Sequence, residues 1–294
     1  MTSVAVVAVT FNSAGDIEGF LDSLDALGDT DVHVIVADNA SNDGTVELAR
    51  AHRRAPDIVE TGGNLGYAAA INAALPRVGD GDLVIIANPD VRLETGFLEP
   101  VAKAAVARDV GVVATRLLDG SGALLPSLRR DPKVRYALAE AVLGGDRAAR
   151  LRLGELITDA AAYQHAADVD WASGALLAVT PWCRREVGSW DETFFLYSEE
   201  TDFQLRARAA GLRVRFVPEA AAWHRGGAAH VDPFLWSTMT TNRVRLFRKH
   251  HGRLHTTLFG LAVLLNEVLR MPRSATHRRA ARDLVRCLPS LVSG

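Results

Sequence analysis

Four apolar runs, each closed by polar residues and separated from the next by a helical or turn-forming segment, constrain this chain more than any other feature. They occupy residues 4–9, 32–37, 58–59 and 83–87. A run without polar alternation reads as a strand covered on both faces. Between the first two, Ile17, Phe20, Leu21, Leu24 and Leu27 fall on one helical face. Asn42-Asp43-Gly44 then supplies a turn and a cap for a helix through Arg50. After the third run, Tyr67, Ala70, Ile71, Ala74 and Leu75 recur at helical spacing. This order predicts an α/β fold with a parallel sheet and right-handed crossovers.

The pattern is less regular further on. A strand is expected at 110–114, followed by a Gly- and Pro-punctuated stretch to Pro132. Residues 133–165 read as helix or loop without a firm assignment. Residues 169–179 read as a strand with Ser173-Gly174 inside it. Ser198 is a candidate N-cap for a helix ending at Gly211, a suitable C′ glycine. Another strand is expected at 213–217, and from Pro233 the pattern is helical and basic.

Composition narrows the function. With 48% hydrophobic and 23% charged residues the chain is not of the disordered class. Cys183 and Cys287 build no disulfide framework and match no metal spacing, which favours a reducing compartment. The run at 4–9 lacks a basic flank and reads as a first strand rather than a signal peptide. The apolar-rich stretch around 258–265 is short of the ~20 residues that a spanning helix needs. The net charge of −2 conceals an asymmetry: residues 240–294 hold eleven Arg or Lys against Glu267 and Asp283, and the remainder is acidic. An acidic body without a nucleic-acid motif argues against nucleic-acid binding.

In open α/β sheets ligands bind beyond the carboxyl ends of the strands. Three polar strand ends are available there: Thr10-Phe11-Asn12, Asp38-Asn39 and Asn88-Pro89-Asp90. The turn after the first strand is not G-x-G-x-x-G, so the dinucleotide fingerprint is absent. Gly62-Gly63-Asn64-Leu65-Gly66 follows the third strand, where it either brings backbone N–H groups toward a phosphate or forms a plain glycine turn.

Taken in order, Thr10-Phe11-Asn12, the segment from Val36 through Asp38-Asn39 to Thr45, Gly63-Asn64-Leu65-Gly66-Tyr67 and Asn88-Pro89-Asp90 resemble family 2 glycosyltransferases. Trp171-Ala172-Ser173-Gly174-Ala175 is similar to the family's acceptor-side strand. The segment from Trp190 to Glu199-Glu200-Thr201-Asp202 is similar to the one bearing its catalytic carboxylate, and Trp223-His224 resembles its late histidine. The resemblance covers about residues 4–230. Within the family, the Asn-Pro-Asp variant and the basic extension are most like actinobacterial rhamnosyltransferases that act on polyprenyl-diphosphate-GlcNAc in cell-wall (arabinogalactan linker) synthesis.

The resemblance implies a GT-A fold, a Rossmann-like and mostly parallel sheet flanked by helices. Residues 1–232 would be the catalytic domain, with a nucleotide-sugar half to about 115 and an acceptor half over 116–232. Residues 233–294 would be a helical basic extension. It further implies that Thr10, Asn12, Asp38, Asn39, Asn64, Gly66, Asn72 and Asn88 bind the nucleotide-sugar, and that Trp171, Gly174 and Ala175 line the acceptor side. For Asp38 the competing reading is a carboxylate that merely caps the 39–44 turn.

Asp90 is the implied ligand for Mg²⁺ or Mn²⁺, which favour oxygen donors, although the family's usual first acid is here Asn88. His224 is a second candidate ligand, against a purely structural histidine. The general base is expected among Glu199, Glu200 and Asp202, at the start of a helix whose dipole favours ionised carboxylates. Glu200 stands where the family usually has Asp, so all three remain candidates. Trp171, Trp190 and Trp223 are read either as sugar-site walls or as core.

The expected reaction is a single inverting displacement that moves L-rhamnose from dTDP-L-rhamnose to a lipid-linked acceptor such as GlcNAc-diphospho-polyprenol. The rivals are another sugar or polysaccharide acceptor, or a non-catalytic nucleotide-sugar-binding, membrane-associated protein. In the tail, Leu254, Leu258, Leu261, Val263, Leu264, Leu265, Val268 and Leu269 beside arginine clusters suggest a basic amphipathic helix on an anionic membrane surface. The other reading is a helix packed on the catalytic domain or in a homodimer. A peripheral location on the cytoplasmic face of the cell membrane follows from the first reading.

Overall fold

A computed structural model describes residues 3–28, 31–226 and 232–293. The expected strands form. All seven residues of β1 (Val4–Thr10) are buried. Helix α1 (Ile17–Ser23) lays Ile17, Phe20 and Leu21 inward. Strand β2 (Val32–Asp38), helix α2 (Thr45–Ala51), strand β3 (Asp57–Glu60), helix α3 (Tyr67–Ala74) and strand β4 (Leu83–Ala87) follow. These four strands pair in parallel in the order β3-β2-β1-β4, with Thr10 in register with Asp38. Val4, Val6 and Ala8 of β1 and Ile85 of β4 share one core with Phe20, Leu21 and Leu24. Every strand of this parallel block therefore delivers its polar C-terminal residues to the same edge.

The chain continues with β5 (Val91–Leu93), α4 (Leu98–Ala105), β6 (Val110–Leu118), β7 (Leu128–Arg129), α5 (Val134–Leu143) and α6 (Gly145–Arg150). Next come β8 (Ala167–Val169), β9 (Trp171–Ala172), β10 (Leu176–Val179), α7 (Pro181–Val187), α8 (Glu199–Ala209) and β11 (Arg213–His224). The sheet extends from β4 through β10, β6 and β11 to β5, with β8 also on β11. Strand β10 runs antiparallel to β4 and β6, so the second half of the sheet is mixed. The last helices are α9 (Pro233–His250), α10 (Arg253–Arg270) and α11 (Ala275–Ser293).

Three segments differ from the sequence reading. Residues 169–179 are not one strand: β9 ends at Ala172, β10 begins at Leu176, and 173–175 is irregular around Gly174. The strand expected at 213–217 runs on to His224 through a register shift between Val217 and Ala221. Pro218 hides this continuation, because proline has no N–H for a ladder and ordinarily marks a strand end or bulge. Ser198 is not in N-cap geometry. Its φ of +80°, after +66° at Tyr197, is left-handed rather than extended.

Contacts group the described chain into two units. The first spans residues up to Ser127, Ala160–Phe195 and Glu199–Gly226, and contains the whole large sheet. The second comprises Leu128–Asp159, Leu196–Ser198 and the residues after Gly226. The junction expected near 232 adjoins residues 227–231, which lie outside the described residues. The second unit has its own core of Ala137, Val244, Phe247, Phe259, Val263 and Leu284, with Phe247 and Phe259 stacked at 4.0 Å. Within it, part-buried Arg243 lies between Glu140 (2.8 Å) and Glu155 (2.5 Å). Burial opposes its charge, but the two carboxylates outweigh burial and hold it ionised. Among the described residues no helix is long and apolar enough to cross a membrane.

One glycine is required by close approach. Gly66 has φ 95° and ψ 175°, a region that is essentially glycine-only. A Cβ there would lie 2.1 Å from the Phe195 carbonyl oxygen. Gly66→Ala is expected to destabilise the protein by about 2 kcal/mol or more, read as a lower urea midpoint at unchanged m value.

Candidate functional site

The C-terminal edge of the parallel strands carries a buried polar network. Asp38 is 1% exposed. Its Oδ1 accepts from the Thr10 hydroxyl (2.7 Å) and the Ser41 hydroxyl (2.6 Å), and its Oδ2 accepts from the Ser41 N–H (2.8 Å). The carboxylate thus does cap the turn. A carboxylate offers about four acceptor positions, so capping does not exhaust it. The Asn12 side chain accepts from the Asn42 N–H at 3.0 Å. The Asp43 carboxylate accepts from the Thr45 N–H at the start of α2, whose cap residue is Gly44. Asn39 donates to the Gly66 carbonyl (3.1 Å) and accepts from the Thr61 hydroxyl (3.0 Å). Asp38 and the glycine loop are thereby tied together.

Beyond the loop, Tyr67 opens α3. Its N–H donates to the Phe195 carbonyl at 2.9 Å, and its hydroxyl donates to the Gly174 carbonyl at 3.2 Å. Burial, then the charges of Glu199, Glu200 and Asp90, push the phenol well above its ordinary range. The phenol therefore stays a neutral donor in the neutral range. Gly174 also abuts Glu200: a Cβ on Gly174 would meet the Glu200 Cβ at 2.8 Å and Cγ at 3.0 Å. The Asn88 N–H donates to the Ala175 carbonyl at 2.9 Å. The residues expected on the donor side and those on the acceptor side thus meet at the irregular 173–175 segment.

The β5–β11 pairing brings Asp90 to His224, with Asp90 Oδ1 at 3.3 Å from His224 Nε2. Asp90 Oδ2 accepts from the Gly226 N–H at 3.3 Å. Burial raises this carboxyl, but His224, Gly226 and nearby Arg225 prevail and hold it below the usual range. It therefore stays ionised at neutral pH. His224 Nδ1 is buried and, among the described residues, has no hydrogen-bond partner. Among the described residues no group of three or more His, Cys, Asp or Glu could hold a metal by itself. The Asp90 carboxylate fits a Mg²⁺- or Mn²⁺-like ion that completes its shell with water and phosphate oxygens, and the His224 imidazole would be a softer second donor.

In helix α8, Glu199 is buried at 3% exposure. Asp202 is fully buried and ion-paired with Arg206 at 2.8 Å. Arg206 in turn donates to the Val187 and Ser189 carbonyls. Asp202 thus anchors the helix, while Glu200 packs against Gly174. Asn72 is spent elsewhere: its amide clasps the Trp190 backbone in both directions (2.9 and 3.0 Å) and reaches Glu192. Asn64 is exposed. Trp171 is buried, and Trp190 stacks on Phe203 at 4.4 Å, which is a core role. Trp223 is part-exposed and donates to Glu94.

Two residues of the site were not singled out from the sequence. Tyr67 lay inside the quoted glycine segment but was counted on the apolar helical face. Gln204 carried no sequence signal beyond standing one turn after Glu200. It is fully buried, pairs with both the N–H and the carbonyl of Ala172 (2.9 and 2.8 Å), and donates to the Glu200 carbonyl at 3.0 Å. It hangs α8 on β9 as a surrogate peptide group.

Residues 5–161 match the family model described as Glycosyl transferase family 2. The chain is 31% identical over 317 residues to the N-acetylglucosaminyl-diphospho-decaprenol L-rhamnosyltransferase of Mycobacterium tuberculosis (strain H37Rv), covering 97% of this chain and 98% of the relative. Among solved structures, S. aureus TarS 1–349 in complex with UDP-GlcNAc aligns at TM-score 0.58 and 14% identity, over 99% of this chain and 82% of that one. In the longer S. aureus TarS structure, this chain spans 55% of that chain. GalNAc-T7 with UDP, GalNAc and Mn²⁺ aligns at TM-score 0.64 and 12% identity, over 100% of this chain and 58% of that one.

Removing Asp202 separates anchoring from chemistry. Asp202→Ala leaves Arg206 without its buried partner and is expected to cost about 3 kcal/mol, the low end for a broken buried pair because Arg206 is part-exposed. Below its lowered Tm the variant should retain nucleotide-sugar affinity by titration. An unchanged Tm with abolished turnover would instead assign Asp202 to the chemistry.

Proposed function

The chain belongs to glycosyltransferase family 2 with a GT-A fold, and from that premise we propose that it transfers L-rhamnose from dTDP-L-rhamnose to GlcNAc-diphospho-polyprenol. The carrying observation is the packing of Glu200 on Gly174, whose carbonyl accepts the Tyr67 hydroxyl and whose neighbour Ala175 accepts the Asn88 N–H. It supports a reading in which the base candidate lies among residues expected on the donor and acceptor sides. The rhamnosyl reading is supported by the relative's name, at 31% identity over nearly the whole of both chains.

In this reading Thr10, Asn12, Asp38, Asn39 and the Gly63–Gly66 loop receive the nucleotide, with Asn88 beside the sugar. Asp38 retains acceptor capacity for a pyrimidine N–H or a ribose hydroxyl. Glu200 takes the proton of the acceptor hydroxyl. The resulting oxygen attacks the anomeric carbon opposite the diphosphate, and configuration inverts. Asp90 and His224 would hold a Mg²⁺ or Mn²⁺ ion, which when bound offsets charge on the leaving diphosphate.

Glu200→Gln keeps the shape of the side chain and removes the base. Turnover with dTDP-L-rhamnose and GlcNAc-diphospho-polyprenol is expected to fall on the order of 10²–10⁴-fold, with donor affinity within twofold of the parent. A fully active variant sinks the base assignment. If the parent protein transfers sugar only from another nucleotide donor, the rhamnosyl reading fails while the family assignment stands.

The lipid-linked acceptor gives the second unit a role at the cytoplasmic face of the cell membrane. Helix α10 buries Phe259, Ala262 and Val263 but leaves Leu254, Leu258, Leu261, Leu265, Val268 and Leu269 exposed. Helix α11 exposes Arg278, Arg279, Arg282 and Arg286. An anionic surface contributes roughly 1 kcal/mol per adjacent cation, and the exposed leucines add burial in the headgroup layer. Replacing Leu258, Leu261 and Leu265 by Gln is expected to lower partition onto phosphatidylglycerol vesicles at least about tenfold with helicity unchanged. Undiminished vesicle binding would refute docking through α10.

A further inference from the structure

Glutamate at position 200 is longer than aspartate and must be held if it is to meet an acceptor hydroxyl reproducibly. The structure holds its surroundings from two sides. The segment leading into α8 is fixed where the Phe195 carbonyl accepts the Tyr67 N–H at 2.9 Å. The backbone under the Glu200 side chain is fixed where the Gly174 carbonyl accepts the Tyr67 hydroxyl at 3.2 Å. Gly174 is also the residue against whose Cα the Glu200 Cβ and Cγ rest. Tyr67 thus bonds both the segment that precedes α8 and the glycine against which the Glu200 side chain packs, from the N-terminus of α3, immediately after the glycine loop. A phenylalanine would keep the ring in its buried seat and the N–H bond, but would release Gly174.

We propose that Tyr67 is a positioning residue for Glu200, its hydroxyl fixing the Gly174 backbone on which the base lies. The inference rests on the reading of Glu200 as the base. The hydroxyl suits this task because it remains a neutral donor throughout the neutral range, whereas an ionised side chain there would repel the neighbouring carboxylates. Gln204 holds the same helix one turn later, through Ala172, so the hydroxyl acts on the Gly174 side alone.

The test is Tyr67→Phe in the full chain, with Glu200→Gln as companion. The expected result for Tyr67→Phe is a fall in kcat of about tenfold, with dTDP affinity within twofold, the KM for dTDP-L-rhamnose little changed and Tm within a few degrees of the parent. That split separates positioning from stability, because a merely structural residue would lose nucleotide affinity and Tm together. A kcat within twofold of the parent, or parallel losses of affinity, Tm and kcat, overturns the proposal. If Glu200→Gln is inactive and Tyr67→Phe is unimpaired, only the positioning role falls. If Glu200→Gln is fully active, the underlying base assignment falls and the proposal with it.

Discussion

The backbone hydrogen bond from the Tyr67 N–H to the Phe195 carbonyl is the constraint on which the site depends. It brings the start of α3, which belongs to the nucleotide side of the sheet, against the segment that leads into α8. The approach is so close that residue 66 cannot carry a Cβ. The glycine that looks like part of a phosphate-cradling loop is therefore required first by packing. Its carbonyl, which accepts from Asn39, passes the same constraint back to Asp38. From Thr10 to Gly174 the site is one chain of short polar contacts, with Glu200 packed on its end, rather than a set of independent loops. Buried polar networks of this kind rigidify when every member is satisfied and are costly when one is removed.

Asp38 illustrates why structural and ligand-binding readings need not compete. Three hydrogen bonds from Thr10 and Ser41 orient the carboxylate without a cationic partner among those donors. Such a group is pre-organised: its position is set before a ligand arrives, so little ordering entropy remains to be lost on binding. Asp202 is the opposite case. Its partner is a guanidinium within one helical turn, and that pairing anchors the helix.

The sheet was legible from the sequence because its parallel strands are continuous apolar runs, and the polar residues at their ends marked the site edge. Thr10, Asp38, Asp90 and Glu200 all lie on the expected elements. What the sequence could not convey were contacts between residues distant along the chain. Nothing local distinguishes Asn72, whose amide holds the Trp190 backbone, from an asparagine that binds a sugar. Nothing local reveals that Gln204 bonds both the N–H and the carbonyl of Ala172. Pro218 misled the reading of β11 because a bulge and a strand end look alike in one sequence. Tyr67 was missed because helical periodicity rewards an apolar ring and is blind to where its hydroxyl points.

The exchange of aspartate for glutamate at position 200 adds one rotatable bond to the side chain expected to act as base. Left free, that bond would spread the carboxylate over several rotamers and weaken catalysis that depends on near-attack geometry. Here the additional methylene has a surface to lie on. Gly174 presents a bare Cα where any other residue would drive the Glu200 Cβ and Cγ away, and the irregular segment between β9 and β10 keeps that Cα in place. The longer side chain and the glycine beneath it are thus best understood as a pair. The interruption of the acceptor-side strand supplies the flat seat that a regular strand, with a side chain at every position, would not.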